Sequence, residues 1–500
     1  MPSASATASE RAGWLGPALA VVGAVTALRI LLLAFNRADL FVDETQYWFW
    51  GQELAFGYYS KPPLIGWVIR AFTTLAGSDG QFWVRLPGPL FHGATALLLG
   101  AVAARLYGRR AAVWVAAGYI TLPMVALASL TISTDTIMFP FLALALLLWL
   151  RLGERPAPDR RHETGLALAC GLALGLGFMA KYAAVYYLIC AGIAALVAPA
   201  LRPSRRAAGL GLLAFLLTLS PNVIWNALMG FPTLYHTEHN IGWVKAPAKR
   251  AGLHWDKLAE FLANQFAVVG PVVFALLLLI ALRALGPGRR GHLGQKGRLL
   301  LAFSLPILAI ICVQALLSRA YANWAAAAYL AGTVLVFARA GRFPKLAAIA
   351  INAAVCLALP AMTIWPEAVV MRDGRYAMHR YLGRAALSDW IIAEAQKVGV
   401  STVVASRRDI LADLFYSGRD SGLRFYSTDP DGPPQDHYEL THPFPDEMTG
   451  EVLLVQTGEG QLACDPDEKP QAETTPQVGA YRGLRIALYK VPARCARDED

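Results

Sequence analysis

STDTIMFPFLALALLLWLR, residues 133–151, is the stretch on which the fold class turns. From Thr136 to Leu150 it holds no charged residue, with Asp135 at one end and Arg151 at the other. A helix needs about 20 apolar residues to cross roughly 30 Å of hydrocarbon, and an uncharged run of this kind reads as a crossing. Similar runs occupy 14–35, 87–104, 111–130, 164–181, 183–201, 207–225, 264–282, 299–318, 321–338 and 346–365, giving with 134–150 eleven candidate spans. The runs at 111–130 and 134–150 are interrupted only near Ser133, and those at 164–181 and 183–201 only by Lys181. The pattern predicts a polytopic α-helical membrane protein with about 11 transmembrane helices in residues 1–365 and a soluble domain over 366–500.

Composition agrees. Of 500 residues, 56% are hydrophobic and 16% charged, whereas an ordinary soluble chain has about 25% charged and could not cover itself with less. A secreted disulfide scaffold, a disordered chain, a coiled coil and a nucleic-acid binder are all excluded on this basis. The net charge of +10 is unevenly shared: residues 1–365 hold 30 Lys/Arg and 13 Asp/Glu, and residues 366–500 hold 15 and 22. The basic surplus belongs to the membrane part, where it reports topology.

Short loops rich in Lys and Arg stay on the cytoplasmic side. With the N-terminus inside, the inner loops carry 19 Lys/Arg and the longer outer loops 10. This predicts a bacterial inner-membrane protein with a cytoplasmic N-terminus. The first outer loop 36–86, a second at 226–263 and the domain 366–500 would then all lie in the periplasm. The first span could pass for a signal peptide, but no convincing cleavage site follows it and a membrane bundle does. Cys170, Cys190, Cys312 and Cys356 fall in spans and read as small packing residues. Cys464 and Cys495 lie in the outer tail, where an oxidising compartment would permit a disulfide. The tail reads as a small α/β unit, with helical spacing over Asp389–Val398 and Arg408–Tyr416. Its strand patterns are Ser401–Ala405, Glu451–Gln456 and Leu484–Val491, and Thr428–Pro445 reads as loop.

Ionisable groups near lipid are costly and are functional suspects by default. Asp135, Lys181, Arg319 and Arg29 are the clear cases, all toward the outer ends of their spans. A carrier would be expected to hold such features near the midplane, so a transporter or flippase of lipid-linked sugars is the weaker alternative to an enzyme working at the outer leaflet. The richest segment is FVDETQYWFWGQELAFGYYSKPPLIGW, residues 41–67. Asp43 and Glu44 open a helical stretch whose aromatic face, Tyr47, Trp48 and Trp50, suits a membrane interface. Helix capping is the plain alternative for both carboxylates. Pro62 and Pro63 then break the chain and present Lys61, before a second amphipathic stretch from Leu64 to Leu75. Asn323 and Trp324 either line a sugar site or anchor the interface, and Arg85 reads more as a structural anchor than a catalytic group. His236, Glu238 and His239 lie close together; a divalent metal is possible there, but without matched helical spacing substrate contact or loop structure reads better.

Taken in chain order, the DE pair after the first span, the SKPP turn at Ser60 to Pro63, the RLP entry at Arg85 to Pro87 and the STD at Ser133 to Asp135 resemble glycosyltransferase family 39. That family contains the protein O-mannosyltransferases and the bacterial transferases that put aminoarabinose or galacturonic acid on lipid A or core sugar. The similarity covers roughly residues 14–340. It implies a C-type glycosyltransferase fold, a polyprenyl monophosphate sugar as donor, and a lipid, glycan or protein acceptor, hence lipopolysaccharide modification or protein O-glycosylation in the cell envelope. Asp43 matches the first-loop aspartate regarded as catalytic base, Lys61 the lysine of the family's EKPP turn, and Asp135 the aspartate opening the fourth span. Ser60 departs from the glutamate of the lipid A enzymes, so no role for that carboxylate, including any share in metal binding, carries over.

Those residue types suit the chemistry. Transfer from a sugar phosphodiester needs a base at the acceptor hydroxyl and cations at the leaving phosphate, where negative charge accumulates. Asp43 is the candidate base, Lys61, Lys181 and Arg319 the candidate phosphate cations, and Asp135 a second catalytic carboxylate that orients acceptor or cations. Glu44, Tyr59, Arg85, Tyr182, His236, His239 and Asn323 are candidate substrate contacts. Each cation about 4 Å from a phosphate charge has a raw Coulomb energy on the order of 4 kcal/mol at an effective dielectric of about 20, before desolvation. Phosphate leaves readily without an acid, so inversion by one displacement is expected.

Overall fold

The computed structural model describes residues 13–154, 159–241, 252–285, 293–429, 432–460, 462 and 464–497. Of the basic residues used to set topology, Arg11, Arg155, Lys245, Lys249, Arg250, Arg289 and Arg290 lie outside the described residues. The chain divides into two compact units. One comprises Met1–Ala34, Arg85–Leu228 and Thr237–Pro360; the other comprises Phe35–Val84, Met229–His236 and Ala361–Asp500. The second unit therefore takes in the first loop as well as the tail expected at 366–500.

The first unit is helical. Seven helices among the described residues are long and apolar enough to cross a membrane: Leu15–Ala34, Gln81–Tyr107, Thr134–Leu152, Arg160–Ala180, Arg205–Leu228, Gly294–Leu317 and Arg342–Ile364. The other four expected spans are shorter or broken, each for a local reason. At 264–282 two helices, Trp255–Val269 and Pro271–Ala284, meet at 118°. Gly270 makes the corner at φ +89°, where a Cβ would collide with Oδ1 of Asn352, and Asn352 in turn donates to the Val269 carbonyl at 3.3 Å. The span at 183–201 opens as a 3-10 turn, Tyr182–Val185, before helix Tyr186–Val197. That at 321–338 does the same with Ala322–Ala325 before Ala328–Arg339. The span at 111–130 stops at Ile120 and resumes at Pro123, whose ring cannot supply an N–H to continue the ladder.

That last break explains Arg29. A carbonyl freed inside an apolar bundle must find another donor. Nη2 of Arg29 donates to the Ile120 carbonyl at 2.6 Å and Nη1 to Ser129 at 3.3 Å, while the Cys356 thiol donates to the Thr121 carbonyl at 3.2 Å. Arg29 is buried and mends the broken helix, which corrects its reading as a functional suspect. Helices Arg160–Ala180 and Arg205–Leu228 approach closely because Gly171 faces the Gly211 carbonyl, leaving no room for a Cβ.

The second unit is built on a five-stranded sheet. In chain order the strands are β1 (Thr402–Ala405), β2 (Arg424–Ser427), β3 (Glu451–Thr457), β4 (Ala472–Thr474) and β5 (Ile486–Pro492), arranged β2-β1-β3-β5-β4. The β1–β2 and β1–β3 pairs are parallel, with Val404 opposite Tyr426 and Leu454; β5 runs antiparallel to β3 and β4. Val404, Val452, Leu454, Tyr489 and Val491 form the core of one face. The Cys464–Cys495 disulfide is formed and closes a 31-residue separation. Strands β2 and β4 are too short to show a period in the sequence, and the stretch expected as loop holds a helical turn, His437–Thr441, capped by Asp436.

Helix Val42–Gln52 of the first loop is buried almost all round, which corrects its expected place at a lipid interface. Phe49 packs on Phe415 at 4.4 Å between ring centroids, Trp48 lies edge-on to Tyr416, and Trp50 stacks flat on Tyr58. The rings are covered by helix Arg408–Ser417, which no periodicity in the first loop could announce. Helix Leu64–Ala76 is amphipathic as expected, with Ile65 and Ile69 buried and Leu75 exposed.

His437 is enclosed by Phe49, Trp50 and Tyr58. Both its ring nitrogens are buried without a hydrogen-bond partner among the described residues. Burial, then the neighbours His442 and Arg408, lower its pKa to about 3. The unfolded ring takes up a proton below about 6.5 and the folded ring does not. Its contribution is therefore complete above pH 6.5 and declines as pH falls toward 3, by about 1.4 kcal/mol per pH unit. Unfolding of the purified protein, followed by tryptophan fluorescence at pH 7 and pH 5, should show a smaller pH loss in His437→Phe than in wild type; equal losses would refute this origin.

Candidate active site

In the first unit, three helix breaks bring three of the sequence-selected residues together. Ser133 caps helix Thr134–Leu152, accepting from the Thr136 N–H, and so places Asp135 in the first turn, where the helix dipole favours a carboxylate. Lys181 is the residue at which helix Arg160–Ala180 ends in extended backbone. Asn323 lies in the 3-10 turn Ala322–Ala325. Oδ2 of Asp135 accepts from Nζ of Lys181 at 2.7 Å and from Nδ2 of Asn323 at 3.2 Å. The ion pair is mostly buried, with side chains 16% and 10% exposed. Oδ1 of Asp135 and two Lys181 protons have no protein partner among the described residues.

Residues the sequence reading missed hold this cluster in place. Gln265 donates to the Ala322 carbonyl at 3.2 Å and accepts from Tyr329 at 2.7 Å, fixing the turn that presents Asn323. Tyr182 donates to Asn222 at 3.1 Å, and Asn226 donates to the Asn222 carbonyl. Two buried asparagines in the span Arg205–Leu228 were a legible signal, since buried amides demand partners. Arg85 is fully buried at the end of helix Gln81–Arg85, as an anchor would be. Arg319 does not join Asp135: its guanidinium donates to the Asn240 carbonyl and lies over the Tyr321 ring. His239 is exposed on helix Pro232–Ile241.

The second unit carries a separate cluster. Oδ1 of Asp43 accepts from Nη2 of Arg408 at 2.5 Å, and Gln46, one turn further along the same helix, accepts from Nε of Arg408 at 2.7 Å. The side chains of Asp43 and Arg408 are 44% and 38% exposed. Burial opposes the charge on Arg408, but Asp43 outweighs it and holds the guanidinium above its ordinary pKa. Arg408 opens helix Arg408–Ser417 in the tail, 365 residues from Asp43, and nothing in its local sequence marked it. Asp43 thus pairs with Arg408, a cation that the sequence reading did not single out. Glu44 is buried and caps its own helix, accepting from the Phe41 N–H at 2.9 Å. The Lys61 carbonyl accepts from the Tyr58 N–H, closing the SKPP turn. Tyr59 is buried against the His236 ring, and burial first, then Tyr235 and Asp436, raise its pKa. Among the described residues no group of three or more His, Cys, Asp or Glu is arranged to hold a metal.

Residues 60–225 match the family described as dolichyl-phosphate-mannose-protein mannosyltransferase. Lipid A galacturonosyltransferase RgtD from Rhizobium johnstonii is 39% identical over 480 residues, covering 95% of this chain and 98% of that protein. The chain belongs to glycosyltransferase family 39. Crystal structures of ArnT from Cupriavidus metallidurans, in the apo state and bound to undecaprenyl phosphate, superpose with TM-scores of 0.61 at 13% and 14% identity, covering 95% of this chain and 98% of theirs. The fold is accordingly the C-type glycosyltransferase fold, and the protein is a multi-pass membrane glycosyltransferase.

Lys181→Met should leave the Asp135 charge buried with Asn323 as its remaining partner, lowering stability by about 3 kcal/mol. Adding Asp135→Leu should recover most of that loss while sugar transfer stays abolished. Thermal unfolding in detergent, paired with a transfer assay, checks both; a Lys181→Met protein as stable as wild type would contradict the buried pair.

Proposed function

We propose that this protein moves a galacturonosyl residue from a polyprenyl phosphate carrier to lipid A at the periplasmic face of the bacterial inner membrane. The observation that carries the reading is the 39% identity, nearly end to end, with a lipid A galacturonosyltransferase. The undecaprenyl phosphate bound to ArnT supports the class of donor. The basic inner loops and the tail disulfide, a bond at home in an oxidising compartment, support the periplasmic placement.

In this reading Asp43 is the general base. Arg408 holds its Oδ1 and leaves Oδ2 to take the proton of the acceptor hydroxyl. The acceptor oxygen bonds to the anomeric carbon as the bond from that carbon to the phosphate oxygen breaks, and polyprenyl phosphate leaves with the electron pair. One displacement inverts the anomeric centre. Lys181, oriented by Asp135, uses its two remaining protons on the donor phosphate. Lys61 is assigned to the same phosphate, and Tyr59, Tyr182, His236 and Asn323 to sugar or acceptor. We assign Arg85 and Glu44 to the fold, and Arg319 and His239 only to the rim, because of the partners and exposure described above.

Mass spectrometry of lipid A tests this in a strain lacking the gene. Wild type should restore a galacturonic acid increment, and Asp43→Asn should give at least about a hundredfold less. Restoration by Asp43→Asn, or a lipid A unchanged by the deletion, would overturn the proposal.

A further inference from the structure

The last third of the membrane part is basic without opposition. From residue 261 to 366 the chain has nine Lys and Arg and no Asp or Glu. Most of these cations in the described residues have protein partners. Lys296 donates to the Leu106 carbonyl at 2.6 Å. Lys345 lies over the Trp114 ring. Arg319 is bound to the Asn240 carbonyl. Arg283, at the end of helix Pro271–Leu285, is exposed and forms no ion pair or hydrogen bond among the described residues, as is also true of Arg298 and Arg342.

Arg283 lines a cavity of about 490 Å³, within the first unit. One wall is apolar, from Leu276, Leu279 and Ile280 of its own helix; Arg339 and Gly341 close the other side. The volume is in the range of small-molecule sites. Cations at the end of an apolar wall match the layout of a phospholipid, whose phosphate meets the guanidinium while its chains follow the leucines. A guanidinium also suits a phosphodiester better than an ammonium does, because its planar fork bonds two oxygens. The lining residues Arg283, Arg339 and Gly341 belong to the basic stretches that the charge bias places on the cytoplasmic side, away from the periplasmic chemistry proposed above.

We propose that this cavity binds the headgroup of an anionic phospholipid, with Arg283 as its principal contact. The site is independent of the sugar-transfer reading and requires only that the chain span a membrane. It accounts for a charge left unanswered beside an apolar wall, which the topology rule alone would leave facing water.

The full-length protein, purified in detergent, is titrated with short-chain phosphatidylglycerol, with phosphatidylcholine of the same chains, and with inorganic phosphate, reading bound lipid by native mass spectrometry and the thermal unfolding midpoint. Wild type should retain phosphatidylglycerol and gain thermal stability from it, with neither effect from phosphatidylcholine or from phosphate. Arg283→Gln should bind phosphatidylglycerol about tenfold or more weakly, the loss of one charge-assisted hydrogen bond, and Arg283→Lys should recover part of it. Arg205→Gln, which removes a basic residue outside the cavity, should bind as wild type does. Leu279→Trp, which fills the cavity without touching the charge, provides a second variant should Arg283→Gln not fold, and should also lose the lipid. Equal binding by wild type, Arg283→Gln and Leu279→Trp, or equal losses in Arg283→Gln and Arg205→Gln, would overturn the proposal. So would a stabilisation produced by phosphate alone.

Discussion

A charge inside a bundle of apolar helices has to be answered where it stands, and the pairing of Lys181 with Asp135 is the answer on which the first unit is organised. Taking either charge out of water alone costs several kcal/mol. The pair tolerates burial because three helices are interrupted at the same place, freeing a lysine at a C-terminus, an aspartate at an N-terminus and an asparagine in a 3-10 turn. Continuous helices would have turned these groups toward lipid. Two of the four breaks that made expected spans short, those at Lys181 and Asn323, thus build this cluster, since irregular backbone is tolerated at membrane depth only where protein or water covers it. Arg29 shows the same constraint in a structural role, for it supplies a donor to the Ile120 carbonyl where the span breaks before Pro123.

The second unit meets a different requirement. The base proposed at Asp43 would need to reach water and substrate, and its carboxylate is half open and steadied from one side. Arg408 holds one oxygen and is itself held by Gln46, and the aromatic ring pile beneath, Phe49 on Phe415 and Trp50 on Tyr58, makes helix Val42–Gln52 a rigid mount. Precision of this kind is what general-base catalysis requires, because proton transfer works only within hydrogen-bond reach. The tail therefore steadies the proposed base, through Arg408.

The sequence carried the membrane class plainly and marked Asp135 and Lys181 each as a suspect, because a charge in an apolar run stands out against its neighbours; that the two pair with one another came from the structure. The same rule misjudged Arg29, since a structural donor and a functional cation look alike until the carbonyl it serves is seen. It expected eleven long spans because hydropathy counts apolar residues without seeing where a helix turns; the corner at Gly270 and the 3-10 turns keep the apolar count while changing direction. The aromatic face of the first loop was read as interfacial because its cover comes from residues 408–417, more than 350 positions away. Arg408, Gln46 and Gln265 were illegible for that reason: each has an ordinary local sequence, and its role is defined entirely by a distant partner. Asn222 and Asn226 could have been found, since two amides in an apolar span require explanation.

The most direct test of sugar transfer is reconstitution of the purified chain in liposomes with a polyprenyl phosphate galacturonic acid donor and lipid A, following sugar, carrier and anomeric configuration together. The result expected is one polyprenyl phosphate released for each sugar placed on lipid A, with the anomeric configuration inverted. A product that retains the donor's configuration, or donor that crosses the bilayer while no sugar reaches lipid A, would contradict it.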